Sequence, residues 1–365
     1  MTEQGIYTFL PIEKVIHGPG SIGQLPSEID RLGGRRVLII TGHTLAYETP
    51  LVRDLEAMLG DRYAATFSGI RQHVPESGNA EAIQLAGETR SDLLVSLGGG
   101  SPIDATKAVA RAILDASAQI LPQIALPTTL SAAEFSHMAG FTDEQTGEKT
   151  GFTDPRVTPR VVILDPELTL YTPNWLWSAS GIRALDHAVE TLYSPGDHPV
   201  NDTLALQAIG DLFTYLPQAK QDPKDLEAKG RCQLAAWMSF FGPATVRYGL
   251  SHRLGRIIGA TYGVPHGITS AITLAHVMRY KVESEAARLA PIAHTLNLVN
   301  GSASARQATL AAAGAVAELV KDLELPFRLR DVGVPQSALE NIATKAADQM
   351  SEDPAGVLGV VEAAW

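Results

Sequence analysis

The sequence predicts an α/β domain built on a parallel sheet, followed by an all-helical domain. As far as residue 165, short apolar runs alternate with amphipathic stretches, which is the pattern of a parallel sheet covered by helices on both faces. From about Pro173 onward, apolar residues recur with helical spacing in alanine-rich segments. We therefore place one domain at residues 1–165 and a second at residues 166–365.

The predicted strands of the first domain are short runs of aliphatic residues bounded by turn residues. They cover 36–41, 64–68, 92–97, 123–126 and 161–165. Between them, amphipathic helices are predicted at 50–60, 79–90 and 103–114. In the second domain, helices separated by proline and glycine are predicted at 182–193, 202–216, 226–240, 284–296, 304–322 and 337–348.

Composition limits the class of protein. The chain has 365 residues and a net charge of −11, without the basic face that nucleic-acid binding needs. A single cysteine, Cys232, excludes an internal disulfide and suits a reducing compartment. The first residues lack the pattern of a secretory signal, and no apolar stretch reaches membrane-spanning length. We expect a soluble cytoplasmic protein with no membrane and no nucleic-acid partner.

A glycine-rich segment, residues 98–104, follows a predicted strand and opens a predicted helix. Consecutive glycines let the backbone approach a pyrophosphate, whose charge the N–H groups of the helix start receive. Asp104 is placed to cap this helix or to face the nicotinamide end of a dinucleotide. Thr128 and Thr129 follow the next strand, at the edge where Rossmann-like sheets bind ligands. The segment is neither the G-x-G-x-x-G fingerprint nor a Walker loop, but its context predicts a phosphate site.

Three histidines, His187, His252 and His266, lie in two segments of the second domain. Three imidazoles on two helical segments and a loop are able to close around one divalent cation. A fourth ligand, ideally a carboxylate, is expected one helical turn before His187, but that position holds Arg183. A fixed positive charge opposes a bound cation. Asp186 points about 100° around the helix from His187, so we expect it to be poorly placed as a substitute.

The ordered motifs resemble those of the iron-containing (group III) alcohol dehydrogenase family over nearly the whole chain. They are Gly98-Gly-Gly-Ser-x-x-Asp-x-x-Lys107, Pro127-Thr-Thr129, Ala184-Leu-x-His-Ala-x-Glu190 and His252 followed by Pro265-His-Gly267. Residues 153–169 are similar to the maleylacetate reductase branch, whose members reduce an unsaturated oxo-diacid from aromatic-ring breakdown with NADH or NADPH. The resemblance implies the dehydroquinate synthase-like fold, a Rossmann-like domain followed by a helical one.

The resemblance implies a nicotinamide dinucleotide in the cleft between the domains. It places Gly98, Gly99, Gly100 and Ser101 at the pyrophosphate, Asp104, Thr128 and Thr129 on the route to the nicotinamide, and Lys149 at a ribose. Gly42 and His43 follow the first predicted strand, where many NAD-preferring members carry an aspartate for the ribose 2′-hydroxyl. Without that carboxylate, NADH and NADPH are both admissible.

Family members bind iron or zinc through one aspartate and three histidines. The histidines map onto His187, His252 and His266, whereas the aspartate maps onto Arg183 and a further family histidine onto Arg256. We therefore expect no catalytic metal; if one binds, the three histidines are its predicted ligands. We expect Arg183 and Arg256 to anchor a carboxylate or polarise an oxygen. One of the three histidines is expected to supply a proton, since imidazole titrates near neutrality.

The leading hypothesis is hydride transfer from NADH or NADPH to a small, anionic, unsaturated oxo-acid. A carbonyl reductase or alcohol dehydrogenase acting on another substrate, in a biosynthetic or detoxifying pathway, is the main alternative. A zinc-dependent lyase of the dehydroquinate synthase type is disfavoured by Arg183, and a non-catalytic dinucleotide-binding protein stays open. Glu190 and Tyr193 continue the His187 helix as weaker site candidates, and the family resemblance favours a homodimer.

Overall fold

The computed structural model divides the chain into two compact units. One comprises Phe9–Thr172, and the other comprises Pro173–Trp365 with Tyr7 and Thr8. The structure describes residues 7–70, 76–142, 149–194, 199–242 and 248–365, with backbone alone at 76, 77, 141, 142, 149 and 150. Within those ranges, no helix has the length and the apolar character needed to cross a membrane.

The first unit is built on a six-stranded parallel sheet with the order β1-β8-β5-β4-β2-β3. Its strands are β1 (Lys14–His17), β2 (Val37–Gly42), β3 (Tyr63–Ile70), β4 (Leu93–Gly98), β5 (Gln123–Pro127) and β8 (Val161–Leu164). A separate antiparallel pair consists of β6 (Met138–Thr142) and β7 (Lys149–Thr153). The parallel sheet confirms the fold class predicted for this half of the chain.

Helices cover both faces of this sheet. They are α1 (Leu25–Arg31), α2 (His43–Tyr47), α3 (Leu51–Leu59), α4 (Glu76–Glu88) and α5 (Gly100–Ser117). Successive residues of β2 alternate between the two faces, as strand geometry requires. Val37 and Ile39 join a cluster with α1 and α3, whereas Leu38 and Ile40 join a cluster with α4 and α5. Both faces of the strands are therefore buried, which explains their continuous apolar character.

The second unit is helical. Its helices are α6 (Asn174–Tyr193), α7 (Pro199–Gln221), α8 (Leu226–Ser239), α9 (Leu250–Tyr262), α10 (His266–Tyr280), α11 (Val282–Thr295), α12 (Ala305–Asp322), α13 (Leu339–Met350) and α14 (Pro354–Ala363). Helix α6 is buried from Trp177 to Leu192 except at Arg183. Because a buried polar group is costly unless it is paired, the ionisable residues of α6 must find partners on the neighbouring helices.

Candidate active site

The predicted phosphate loop lies at the carboxyl edge of the sheet in the first unit. Gly98 ends β4 with a φ of 140°, and α5 begins at Gly100. Strand β5 runs beside β4 in register, so the Thr128 N–H donates to the Gly98 carbonyl at 2.9 Å. The glycine loop and the two threonines are thus brought together, as the sequence predicted for a parallel sheet.

The glycines of this loop are required by close packing. A Cβ on Gly98 would lie 2.9 Å from Pro102 Cγ, and one on Gly99 would lie 3.1 Å from Thr129 Cγ2. Thr129 is buried, and its Oγ1 has no hydrogen-bond partner among the described residues. A polar group is costly in that state, so Thr129 Oγ1 is available to a ligand at this edge.

The other residues predicted for dinucleotide binding occupy varied positions. Gly42 ends β2, next to β4 in the sheet. His43 begins α2, and its exposed ring lies 4.6 Å from the Tyr47 ring in a tilted arrangement. Ser101 is half-buried in the first turn of α5. Lys149 begins β7, but its side chain lies outside the described residues.

No side chain makes a cap hydrogen bond at the start of α5, whose N-cap residue is Gly99. Asp104 therefore does not cap this helix, and its carboxylate bonds to other groups. Its Oδ1 accepts a hydrogen bond from Lys107 Nζ at 3.2 Å, and its Oδ2 accepts one from the Gly140 N–H at 3.4 Å. Asp104 therefore links α5 to the segment around β6.

We expect Gly98→Ala to weaken both the fold and dinucleotide binding. An L-residue at this φ is strained by about 1–3 kcal/mol, and the added Cβ meets Pro102. Thermal denaturation and a fluorescence titration with NADH and NADPH measure the two effects. Gly87→Ala is the matched control, because a Cβ there meets nothing within 4 Å and Gly87 lies within α4. Equal behaviour of the two variants would contradict the assigned role of Gly98.

Beneath the loop lies a buried ionic cluster that the sequence analysis did not identify. Lys107 is fully buried, and its Nζ donates to the carbonyls of Ala133 and Met138 at 2.7 and 2.8 Å. It thereby fastens α5 to the segment that follows the two threonines. Glu134 is buried beside it, and burial raises the pKa of this carboxyl to about 7. The lysine three residues after Asp104 was the available sequence signal, since an i,i+3 pair shares one helix face.

The buried carboxyl of Glu134 is expected to make the free energy of unfolding depend on pH. Its pKa is about 7 in the folded protein against 4.5 for the ordinary group, so the unfolded chain releases this proton first. The stabilisation is complete below pH 4.5 and is lost as pH rises towards 7, by at most on the order of 3 kcal/mol. We expect Glu134→Gln to remove this loss, measured by urea denaturation at pH 5 and pH 8. The exposed Glu88→Gln is the control, and an unchanged pH dependence in E134Q would refute the assignment.

In the second unit, α6 and α9 bring two of the three predicted histidines together. The rings of His187 and His252 lie 4.8 Å apart, and Tyr248 stacks on His252 at 4.7 Å. Both histidines are buried, and neither His187 Nδ1 nor the two ring nitrogens of His252 make a hydrogen bond of good distance and direction among the described residues. The two adjacent imidazoles are therefore candidate reacting groups.

Arg183 lies beside these imidazoles. Its side chain is only 15% exposed, and Nη1 donates to Ser270 Oγ at 3.1 Å. The same nitrogen lies 3.5 Å from Asp186 Oδ2. Its charge helps to lower the pKa of both His187 and His252. The guanidinium is therefore part of the cluster and does not point away from it.

Two buried carboxylates of α6 complete the cluster. Asp186 Oδ2 accepts hydrogen bonds from Ser270 Oγ at 2.6 Å and from Ser251 Oγ at 3.0 Å. Asp186 Oδ2 and Glu190 Oε2 lie 3.4 and 2.6 Å from His252 Nδ1. The expectation that Asp186 is poorly placed was wrong, because α9 packs on the side of α6 to which Asp186 points.

Burial controls the protonation of the two histidines. It lowers the pKa of His252 to about 3 and that of His187 well below its usual value, with Arg183 acting in the same direction. Burial also raises the pKa of Asp186 and of Glu190. Titration near neutrality was therefore the wrong expectation for His187 and His252, which are neutral at pH 7 in the substrate-free protein.

The remaining predicted residues lie along α9 and at its junction with α10. His266 begins α10 and is half-buried, and a Cβ on Gly259 would lie 3.4 Å from its Cε1, so it packs against α9. Arg256 lies one helical turn after His252 and is exposed, unlike Arg183. It is close enough to Arg253 to contribute to the lowered pKa of that guanidinium.

Among the described residues, one group of three side chains has potential metal-ligand atoms within 4.8 Å of one another. It consists of Asp186, Glu190 and His252. This group shares only His252 with the three-histidine set predicted as the alternative metal site. The structure thus does not assemble those three histidines as the closest set of ligand atoms.

Comparison with known proteins shows to which family the chain belongs. Residues 12–166 match the model of the iron-containing alcohol dehydrogenases, and residues 178–355 match the C-terminal model of the same family. A maleylacetate reductase of Pseudomonas aeruginosa is 32% identical over 342 residues, which are 93% of this chain and 91% of that protein. The chain belongs to the iron-containing alcohol dehydrogenase family. It is an oxidoreductase, and this family uses NADH or NADPH.

Further similarities point to one branch of the iron-containing alcohol dehydrogenases. Maleylacetate reductase 2 of Cupriavidus pinatubonensis is 35% identical over 292 residues, which are 79% of this chain and 77% of that protein. The crystal structure of maleylacetate reductase from Agrobacterium tumefaciens is 27% identical, with a TM-score of 0.88 and coverage of 100% of this chain and 99% of that one. The predicted resemblance to the maleylacetate reductase branch is confirmed.

Proposed function

We propose that this protein reduces maleylacetate, or a closely similar unsaturated oxo-diacid, with NADH or NADPH and without a catalytic metal. The observation that carries the proposal is the guanidinium of Arg183, only 15% exposed, beside two neutral imidazoles. The similarity to proteins named maleylacetate reductase supports the substrate class.

The residues present do not fit the metal that the family name implies. Arg183 places a cation where the family resemblance implies an aspartate, and a second unit positive charge about 4 Å away would be repelled by about 4 kcal/mol even at an effective dielectric of about 20. Most of the nearby carboxylate oxygens already accept hydrogen bonds. Glu190 Oε1 accepts from the Ser251 N–H at 2.8 Å, and Asp186 Oδ2 accepts from two serine hydroxyls. Of these oxygens, Asp186 Oδ1 alone has no hydrogen-bond partner among the described residues, so a metal using more than this one oxygen would have to displace donors as well as overcome the charge of Arg183.

Arg183 is suited to the charge that forms during the reaction. Hydride addition to the carbon–carbon double bond of an unsaturated ketone places negative charge on the ketone oxygen as an enolate. A planar guanidinium in a water-poor site stabilises such an oxyanion through hydrogen bonds and charge. Arg256, exposed one turn after His252, is suited to a carboxylate at the more open end of the same helix.

The imidazoles serve the second half of the reaction. After the hydride has bonded to one carbon, the enolate must receive a proton at the adjacent carbon to complete the reduction. Binding of an anionic substrate raises the pKa of a neighbouring imidazole, which opposes the effect of Arg183 in the empty site. We assign this proton transfer to the group formed by His187, His252 and His266, in which His252 is the most firmly held.

The dinucleotide supplies the hydride when it is bound. Gly98, Gly99, Gly100 and Ser101 are proposed to hold its pyrophosphate at the start of α5, where the exposed N–H groups favour an anion. Thr128, Thr129 and Asp104 are proposed to line the path to the nicotinamide, with Gly42, His43 and Lys149 at the ribose end. Gly42 offers no carboxylate to repel a 2′-phosphate, so NADPH is admitted along with NADH.

The direct test measures oxidation of NADH and of NADPH by the purified enzyme with maleylacetate, compared with simple aldehydes. We expect turnover of maleylacetate that does not respond to added iron or zinc. Activity confined to aldehydes and dependent on metal would instead identify an alcohol dehydrogenase or carbonyl reductase. Dinucleotide binding without any turnover would identify a non-catalytic protein. The homodimer and the cytoplasmic location stay predictions.

A further inference from the structure

Glu190 makes an unusually complete set of contacts for a carboxylate at a helix–helix interface. Its Oε2 accepts a hydrogen bond from the Gly249 N–H at 2.8 Å. Its Oε1 accepts from the N–H groups of Ser251 and His252 at 2.8 and 3.3 Å and from Tyr193 Oη at 3.1 Å. Gly249 is the N-cap of α9, so these are backbone donors that the helix itself cannot satisfy. Glu190 therefore caps α9 from the neighbouring helix α6, where a negative charge is favourable.

The same carboxylate also contacts the side chain that follows this cap. Glu190 Oε2 lies 2.6 Å from His252 Nδ1, and both side chains are almost fully buried. The His252 ring stacks on Tyr248 at 4.7 Å, and the tilted ring of His187 lies 4.8 Å from it. The N–H direction at Nδ1 is off the hydrogen-bond line in the structure, but the 2.6 Å separation is short enough for a charge-assisted hydrogen bond. Nδ1 is the nitrogen that lies against the carboxylates, so Nε2 is the ring nitrogen that remains for a reacting group. It is buried and has no hydrogen-bond partner among the described residues.

We propose that Glu190 is the positioning residue of the active site: it fixes both the backbone and the ring of His252, so that proton transfer takes place at Nε2. The proposal rests on the proposed reductase function and adds the atom at which the histidine acts. Glu190 itself does not touch the substrate; it acts through His252. A carboxylate that holds the opposite nitrogen of a working imidazole is a recurring arrangement in enzymes, because it fixes the orientation of the ring.

Local packing shows how closely this carboxylate is bound to α9. A Cβ on Gly249 would lie 2.7 Å from Glu190 Cδ and 2.5 Å from Tyr193 Oη. There is thus no space between the carboxylate and the backbone that it caps. Asp186 cannot take over this role, because its Oδ2 lies 3.4 Å from His252 Nδ1 and is bonded to Ser251 and Ser270.

Glu190→Gln is the most informative variant, because the amide keeps the volume but has a single acceptor oxygen. Whichever way the amide turns, either the pair Gly249 N–H and His252 Nδ1 or the donors at Oε1 lose their acceptor. We expect kcat to fall by about 10²-fold, the typical effect of a 1 Å misplacement. The KM for the dinucleotide is expected to stay unchanged. Glu227→Gln is the matched control, since it makes the same change at an exposed carboxylate in the first turn of α8.

A readout other than activity separates positioning from mere stability. In ¹⁵N-histidine-labelled enzyme without substrate, the two ring nitrogens of His252 are observed by NMR and assigned with His252→Gln. We expect the Nδ1 signal to show a hydrogen-bonded environment in the wild type and in E227Q, and to shift in E190Q. The wild-type spectrum alone gives this test if E190Q does not fold.

Two results would overturn the proposal. One is a folded E190Q with unchanged kcat, and the other is a wild-type spectrum in which Nδ1 is not hydrogen-bonded. The NMR result does not depend on the identity of the substrate. Failure of the wild-type enzyme to reduce maleylacetate would instead refute the proposed function and leave the NMR result standing.

Discussion

Replacing Arg183 by alanine is expected to lower kcat/KM for maleylacetate by about 10²–10³-fold, the effect of removing one donor to a developing oxyanion. The guanidinium is 15% exposed and lies beside Asp186 and Ser270. The family resemblance implies an aspartate ligand at this position. The charge of Arg183 is therefore fixed where an enolate oxygen is proposed to form. Steady-state kinetics with saturating NADH or NADPH measure the loss.

The controls for Arg183 separate chemistry from folding. Arg183→Lys keeps the charge but not the planar two-pronged donor, so we expect it to recover only part of the activity. Truncation of Arg183 alone leaves Asp186 as a buried carboxylate with less compensation. The double variant Arg183→Met with Asp186→Asn removes both charges, and we expect it to fold and to be inactive. Wild-type turnover by this double variant would rule out the role assigned to Arg183.

Replacing His252 by glutamine is expected to lower kcat by about 10²–10⁴-fold, the usual contribution of a positioned proton-transfer group. His252 is 2% exposed, and its ring is held by Tyr248 and Glu190. The residues proposed to bind the dinucleotide belong to the other unit, so the affinity for NADH and NADPH is expected to be retained. A fluorescence titration of the dinucleotide and single-turnover kinetics give the two values.

The matched control for His252 is His276→Gln. His276 is also partly buried, and burial lowers its pKa, but this residue of α10 makes no hydrogen bond or ion pair with Glu190 or Asp186 within the described ranges of the chain. We expect the H276Q enzyme to keep its kcat within about threefold, as for a substitution away from special features. Equal losses in H252Q and H276Q would mean that His252 acts through stability alone.

The fold class could be predicted from the sequence because most strands of the first unit are buried on both faces. Continuous aliphatic runs therefore located β2, β4, β5 and β8 closely. Strand β1 was missed because it is four residues long, lies at an edge of the sheet and is only half-buried. Short, partly polar edge strands carry little periodicity.

No bounds are predicted from the sequence for α9 and α10, although the segment of His252 is expected to be helical and that of His266 to be a loop. In α9 the glycines that suggest a break are present for packing. A Cβ on Gly255 would lie 2.7 Å from Thr269 Oγ1, and one on Gly259 would lie 3.0 Å from the Val264 carbonyl. Glycine in a helix lowers its propensity, but here the close approach of α9 to α10 outweighs that cost.

The candidate site was predicted in part. Motif order located His187, His252 and Arg183, which the structure brings together. The roles of Asp186 and Glu190 could not be derived from spacing along α6, because they depend on which side of that helix α9 covers. The lowered pKa values of the histidines likewise depend on burial, which becomes known only when the surrounding helices are placed.

The central claim is that Arg183, and not a metal, supplies the positive charge at this site. The most direct test is metal analysis of enzyme purified without added metal, paired with NADH and NADPH oxidation by maleylacetate with and without EDTA. The account predicts iron and zinc far below one ion per chain and turnover that is insensitive to EDTA. One bound ion per chain, together with loss of activity in EDTA, would contradict it and make the histidines ligands.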